Sequence, residues 1–352
     1  MNIAVIFHDA DFDGKLSNEV CRYNLKRLCP DAAIHSYGWD YGRPVPTPEG
    51  VWDYRGIEMP GDMPSASFKW EAYDAIYIVD LSVDELMSRP ELRSKIVWID
   101  HHKSAIEKWD KAGADHRFIG MRIDGVAACR LCWQWFTFER GPHGDPRLYP
   151  WDSYVPSKED FVERRVVEPE LVRLAGEYDI WDHRDPNGKA LQFGLRTLDS
   201  ASFHSACEEQ FKGSSVADSL LTSYIQVGHA IKTHMDKQSE EYSAAYSQTI
   251  KWEGLTFCAL NIGQRGNSDL LRGGIKLEHD ACFAWRYDGK NVLVSLYHID
   301  GKTHHDLSLI AVKHGGGGHR GACGFRITLE ELSRILNREH SIRSLFSEQG
   351  RQ

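Results

Sequence analysis

The sequence lacks any run of about 18 apolar residues, the length a membrane-spanning helix needs, so a membrane partner is not expected. It also lacks a surplus of basic charge. Lys and Arg number 42 against 51 Asp and Glu, a net charge of −9, which argues against stable binding of duplex nucleic acid on a broad basic face. Short anionic substrates stay open, because a bound cation can invert the local field. The eight cysteines form no framework. Cys129 and Cys132 make the only C-x-x-C, inside the apolar stretch GVAACRLCWQWF, with no second pair for a zinc knuckle. Core cysteines in a reducing, cytoplasmic setting are the expectation. The N-terminal MNIAVIFHDADFDG has no basic region before its apolar run and no small-residue cleavage site, so it reads as a buried first strand. There is no internal repeat.

What is present is ordinary in bulk and unusual in detail. The 352 residues are 41% apolar and 26% charged, enough for a real core and for two domains. The 17 histidines stand out, because many sit next to Asp or Gly.

Three near-continuously apolar runs, at 2–8, 75–81 and 95–101, read as strands covered on both faces of a parallel sheet. Helical patterns separate them, one over 15–28 and one over 82–93, the latter with Ser82 as a plausible N-cap ahead of Asp84 and Glu85. This alternation predicts an open α/β sheet. Segments 42–70 and 143–156, rich in Pro, Gly and aromatics, read as surface insertions, and the first could serve a homodimer contact. Residues 214–249 suit a connecting helix. Strands are then predicted at 256–261, 281–287, 291–298 and 325–328, with an Asp288-Gly289-Lys290 hairpin turn and a final helix over 329–346. The expected division is a first domain over 1–200, a helical connector over 201–251 and a smaller α/β domain over 252–352.

Each predicted strand in the first domain runs into acids and histidines. The first leads to His8-Asp9-Ala10-Asp11-Phe12-Asp13-Gly14, the second to Asp80, the third to Asp100-His101-His102. Taken singly, Asp-x-Asp-Gly is common turn chemistry and Asp80 could partner a helix N-cap. Taken jointly, three such ends on the ligand-binding edge of an α/β sheet favour a metal site. Two carboxylates about 4 Å apart repel by roughly 4 kcal/mol at an effective dielectric of about 20, and protons or cations must relieve this. Imidazole mixed with carboxylate suits divalent ions such as Mn²⁺.

Asp100-His101-His102 after an apolar strand, with His8-x-x-Asp11-x-Asp13-Gly14 before it and Val79-Asp80 between, resembles the DHH phosphoesterase superfamily. Gly315-Gly316-Gly317-Gly318-His319-Arg320-Gly321-Ala322-Cys323-Gly324 resembles the GGGH-x-x-A-x-G loop of the associated DHHA1 domain. The likeness is greatest to oligoribonucleases and cyclic-nucleotide phosphodiesterases of the NrnB type. The resemblance implies a DHH domain of parallel sheet joined through the connector to a DHHA1 domain. It also implies two Mn²⁺ ions, with Mg²⁺ or Co²⁺ as substitutes, about 3.5–4 Å apart as in other two-metal phosphatases, activating a water for in-line attack. His8 and Asp11 would hold one ion and Asp13 and His101 the other, with Asp80 bridging. A later acid completes the set: Tyr178-Asp179-Ile180-Trp181 favours Asp179, with Asp182 as the alternative. His102 would face the substrate phosphate, and Asp100 would orient His101.

The glycine run would let backbone N–H groups approach phosphate, with His319 and Arg320 adding donors. Arg265, in NIGQRGNSDLL, is expected as a further phosphate or base contact; Arg196 reads as a surface arginine, and His304-His305 as exposed turn histidines. Two domains facing across a cleft that closes by a hinge would complete the picture. The expected function is hydrolysis of short RNA oligonucleotides, in the manner of an exonuclease, or of cyclic (di)nucleotides. Hydrolysis of 3′-phosphoadenosine 5′-phosphate or polyphosphate, and a non-catalytic nucleotide sponge or sensor, are the alternatives.

Overall fold

The computed structural model describes residues 1–41, 70–113, 117–137, 155–263 and 268–337. Its contacts divide the chain into two compact units, Met1–Ile231 and Lys232–Gln352. Among the described residues no helix is long and apolar enough to cross a membrane.

The first unit is built on a parallel sheet. Strands β1 (Asn2–His8), β2 (Ala33–Trp39), β3 (Ala75–Val79) and β4 (Ile96–Ile99) lie in the order β2-β1-β3-β4. The continuous apolar character of β1 follows from burial on both sides. Ile3, Val5 and Phe7 pack against Leu16 and Val20 of α1 (Phe12–Leu28), whereas Ala4 and Ile6 meet Trp39, Tyr73 and Trp98 on the opposite face. The short α2 (Asp84–Met87) and α3 (Lys103–Lys111) cover that opposite face. The α1 face is extended by α4 (Ala128–Thr137), α5 (Lys158–Val162), α6 (Glu170–Asp179), α7 (Pro186–Leu195) and α8 (Ser200–Lys212), and by the first half of α9 (Ala217–Tyr246). At the crossing of α7 and α9 the backbones nearly touch: a Cβ on Gly228 would stand 1.8 Å from the Ala190 carbonyl oxygen. Only glycine fits there.

The second unit is a mixed sheet of β5 (Gln248–Trp252), β6 (Leu255–Asn261), β7 (Ala281–Tyr287), β8 (Val292–His298), β9 (Gly317–His319) and β10 (Ala322–Ile327). The order is β5-β6-β7-β8-β10-β9, with β6 and β7 parallel and the remaining pairs antiparallel. Its core joins Phe257, Phe283 and Leu296 to Leu307 and Ala311 of α10 (Leu307–Lys313) and to Leu332 of α11 (Leu329–Leu336). Asp288 closes the β7–β8 turn by accepting from the N–H groups of Lys290 and Asn291, with Gly289 at φ 94°. The chain is thus α/β throughout, a parallel sheet followed by a second α/β unit.

The elements depart from the sequence expectations in several places. Strand β2 is an addition to the expected strands. Strand β3 ends at Val79 because Asp80 turns into the left-handed region at φ 62°. Strand β4 ends at Ile99, Asp100 making only an isolated bridge to Arg122. The helix expected over 82–93 is reduced to four residues, capped at Val83 without a side-chain bond, since Pro90 disfavours helix at the residue before it. Ser82 is not its cap; the Ser82 N–H donates to the Tyr41 hydroxyl. Helix α1 starts at Phe12, three residues early, because Asp11 caps it by accepting from Gly14 N. Cys129 and Cys132 are buried in α4 with free thiols. Insertion residues 42–69 and 143–154 lie outside the described residues, as does the helix expected beyond 337.

Candidate metal centre

Parallel register carries four strand ends to one edge of the first sheet. His8 pairs with Trp39, Phe7 with Val79, and Val79 with Ile99, so the residues just beyond these pairs emerge side by side. This is the carboxyl edge, where open α/β sheets bind ligands.

His8 ends β1. Its Nδ1 lies 3.3 Å from Asp11 Oδ2 and 3.5 Å from Asp80 Oδ2, and its Nε2 lies 3.3 Å from Asp40 Oδ1. The Asp-x-Asp-Gly step has a steric cause. A Cβ on Gly14 would stand 1.9 Å from the His8 carbonyl oxygen, so glycine alone lets α1 start this close to the strand that feeds it. Asp13, buried one residue earlier, is held at the N-terminus of α4, its two oxygens accepting from Ala128 N (2.7 Å) and Cys129 N (2.8 Å).

His101 is the second hub. Its Nε2 is 3.2 Å from Asp80 Oδ1, 3.5 Å from Asp179 Oδ2 and 3.6 Å from Asp13 Oδ2. Asp179 ends α6 and reaches this cluster, whereas Asp182 turns away to pair with Arg184. Asp100 corrects the sequence reading in one respect. Its Oδ1 meets His101 only at the backbone N–H (2.7 Å) and takes the His102 ring at Nδ1 (2.7 Å). The cause is local: His102 is the N-cap residue of α3, and the turn into that helix folds its imidazole back onto Asp100.

Three overlapping groups result, each with its ligand atoms within 4.8 Å of one another: His8, Asp11 and Asp80; Asp13, His101 and Asp179; Asp80, His101 and His102. Asp80 and His101 each belong to two. Buried His8 Nδ1 and Asp80 Oδ1 have no hydrogen-bond partner, although a buried polar atom normally finds one. His8 Nδ1 faces Asp11 and the other Asp80 oxygen, Asp80 Oδ1 faces His101 Nε2, and these contacts at 3.2–3.5 Å without a hydrogen bond fit a divalent cation.

The electrostatics agree. Asp13, Asp80 and Asp179 are each pushed up to about 7; burial is the largest cause, and neighbouring carboxylates add to it. Burial would lower the His8 imidazole, but its contacts with Asp11 and Asp80 push it up to about 11. The Asp100 hydrogen bond raises His102 to about 9. Such an edge favours any positive charge that reaches it, whether proton or metal.

The sequence reading missed Asp40 and Tyr41, the latter with its ring 6.1 Å from that of His8. Both follow β2, whose AIHSYGW composition hides a strand. Arg265 lies outside the described residues. Arg196, exposed at the end of α7, lines a cavity that Asp11, Asp13 and Asp179 also border.

In the second unit the glycine run is not a free loop. Gly315, at φ 74°, ends α10, and Gly317–His319 form the edge strand β9 against β10. A Cβ on Gly316 would lie 2.1 Å from the Gly324 carbonyl oxygen, and one on Gly318 2.6 Å from Cys323 Cα, so close strand approach already demands glycine there. His319 is exposed, and Arg320 Nη2 donates to the His304 carbonyl at 2.8 Å.

No protein-family model matches the chain. No curated protein sequence matches it either. Solved structures do. The chain is similar to a pGpG-specific phosphodiesterase, PggH, from Vibrio cholerae, at 15% identity and a TM-score of 0.47, covering 99% of this chain and 100% of that one. It is similar to a DHH domain described as belonging to a family of ribosomal proteins, at 14% identity and a TM-score of 0.49, covering 96% and 85%. It is also similar to the exonuclease RecJ bound to manganese, at 13% identity and a TM-score of 0.42, covering 96% and 88%.

Proposed function

We propose that the chain is a metal-dependent phosphodiesterase of the DHH type, acting on short oligonucleotides or cyclic (di)nucleotides. The observation that carries this reading is the pair of His–Asp triads joined through the Asp80–His101 contact, with His8 Nδ1 and Asp80 Oδ1 buried and making no hydrogen bond. His8 and Asp11 would hold one cation, Asp13, His101 and Asp179 the other, and Asp80 both. Mn²⁺ suits this mixture of imidazole and carboxylate, and Mg²⁺ is the nearest substitute. Bound there, the ions would neutralise a phosphoryl group and lower the pKa of water towards neutrality.

The chain's own residues supply the rest. Asp100 fixes the His102 ring, which is part exposed and raised to about 9, so a protonated imidazole is available to a phosphate oxygen. Asp13, anchored on the first turn of α4, keeps its carboxylate in place, and Asp80 holds His8 and His101 apart on either side of one carboxyl group. Gly316, Gly317, Gly318, His319 and Arg320 of the second unit, with Arg265, are proposed phosphate contacts. The test is a panel of pApA, longer RNA, cyclic dinucleotides, 3′-phosphoadenosine 5′-phosphate and tripolyphosphate with Mn²⁺. Hydrolysis of the short diesters is expected; activity confined to tripolyphosphate would overturn the nucleotide reading.

A further inference from the structure

A cavity of about 410 Å³ opens beside the metal centre within the first unit, a volume within the usual range of small-molecule sites. Asp11, Asp13 and Asp179 line it, so a ligand in the cavity would lie against whatever sits at those carboxylates. The rest of the lining is different in kind. Phe12 of α1 and Phe203 of α8 meet there with ring centroids 5.6 Å apart, next to Leu195 and Leu198.

Gln192 projects from α7 among these apolar groups. Only 5% of the residue is exposed, and its side-chain amide forms no hydrogen bond among the described residues. The other buried amide of the wall, Asn18, is engaged: its Nδ2 donates to Glu19 and its Oδ1 accepts from Ser36. With no protein partner among the described residues, the Gln192 amide stays open to a ligand in the cavity it lines. An amide offers a donor and an acceptor side by side, the pattern that matches the edge of a nucleobase. The aromatic and aliphatic wall suits the faces of such a base. Lys15, whose ammonium lies 5.6 Å from the Phe12 ring, adds a cation for the attached phosphate.

We propose that this cavity receives a nucleobase of the substrate, read at its edge by the side-chain amide of Gln192. The inference rests on the phosphodiesterase reading, and it adds where the base lies and which residue selects it.

The test is calorimetric titration of the Mn²⁺-loaded full chain with AMP, GMP, CMP, UMP and inorganic phosphate, alongside hydrolysis of the matching dinucleotides. At least one nucleoside monophosphate is expected to bind tenfold or more tightly than inorganic phosphate. In Gln192→Ala that ratio should fall at least fivefold. Gln192→Glu, equal in size but without the amide donor, should change the order of preference among the four bases, and it carries the test if the alanine variant fails to fold. A ratio near one in the unaltered chain, or ratios and base order unchanged in the variants, would overturn the proposal. If the ratios behave as expected and no diester is cleaved, the base site stands and the phosphodiesterase reading falls. If dinucleotides are cleaved and the variants bind as the unaltered chain does, the base site falls alone.

Discussion

Nε2 of His101 stands 3.2 Å from Oδ1 of Asp80, and Asp80 reaches it from a backbone held at φ 62°. That conformation ends β3 and turns the carboxylate into the sheet edge between His8 and His101. Among non-glycine residues, Asp and Asn enter this region most readily, and outliers of this kind gather at functional sites.

Asp80→Asn and Asp80→Ala are both expected to lower Mn²⁺-dependent kcat/KM by more than about 100-fold, exceeding the loss typical of outer-shell partners. They should differ in stability. Asparagine accepts the left-handed backbone, whereas alanine is expected to cost about 1–2 kcal/mol more. Urea unfolding of the two metal-free variants gives the comparison, and equal stabilities would speak against a strained backbone at this position.

The raised carboxyls set the pH response of the metal-free chain. Asp13, Asp80 and Asp179 are pushed up to about 7, while the same groups in an unfolded chain titrate near their ordinary value of 3.8. Between those limits the folded chain binds more protons, so its stability falls as pH rises from about 4 to 7. His8, pushed up to about 11, acts in the same sense above about 6.5. The thermal midpoint of chelator-stripped protein is therefore expected to drop between pH 5 and pH 8. Mn²⁺ should raise it more at pH 8 than at pH 5. A midpoint that climbs with pH in the stripped protein would contradict this.

Asp100→Asn removes the charge that holds the His102 ring while keeping an oxygen to accept from the His101 N–H, and it alters no side chain proposed to hold metal. A loss of about 10–100-fold in kcat/KM is expected, the range for residues that orient a functional side chain. Mn²⁺ stoichiometry, followed by equilibrium dialysis, should stay the same. Loss of bound metal would instead make Asp100 part of the metal centre.

Away from the edge, Arg130 of α4 and Glu168 form a buried pair, with both Glu168 oxygens 3.0 Å from Arg130 Nε and side chains 2% and 3% exposed. Arg130→Ala leaves the carboxylate buried alone and is expected to cost about 3–5 kcal/mol in urea unfolding. The double variant Arg130→Met, Glu168→Leu should recover most of that loss.

The legible parts of the molecule share one physical property. Strand β1 is covered on both faces, so its residues are apolar without a break and its polar end at His8 is sharply marked. The same holds for the runs that precede Asp80 and Asp100. Strand β2 sits at the edge of the sheet, is half-buried, and mixes His, Ser and Gly with its apolar residues, so neither it nor the Asp40 and Tyr41 that follow can be picked out. In the glycine run around β9, Gly316 and Gly318 lie too close to β10 for a side chain, which in a sequence looks the same as a loop. The choice of His102 over His101 by Asp100 depends on how the chain turns into α3, and the Arg130–Glu168 pair joins residues 38 positions apart. Neither leaves a mark in residue spacing.

The central claim, that this sheet edge is a metal-dependent phosphodiesterase centre, is tested most directly by the rate of pApA hydrolysis by chelator-stripped protein across a titration with Mn²⁺. The account predicts no turnover without metal, and a rate that rises with Mn²⁺ and is abolished in His101→Ala. Full turnover after stripping, or an unchanged rate in that variant, would contradict it.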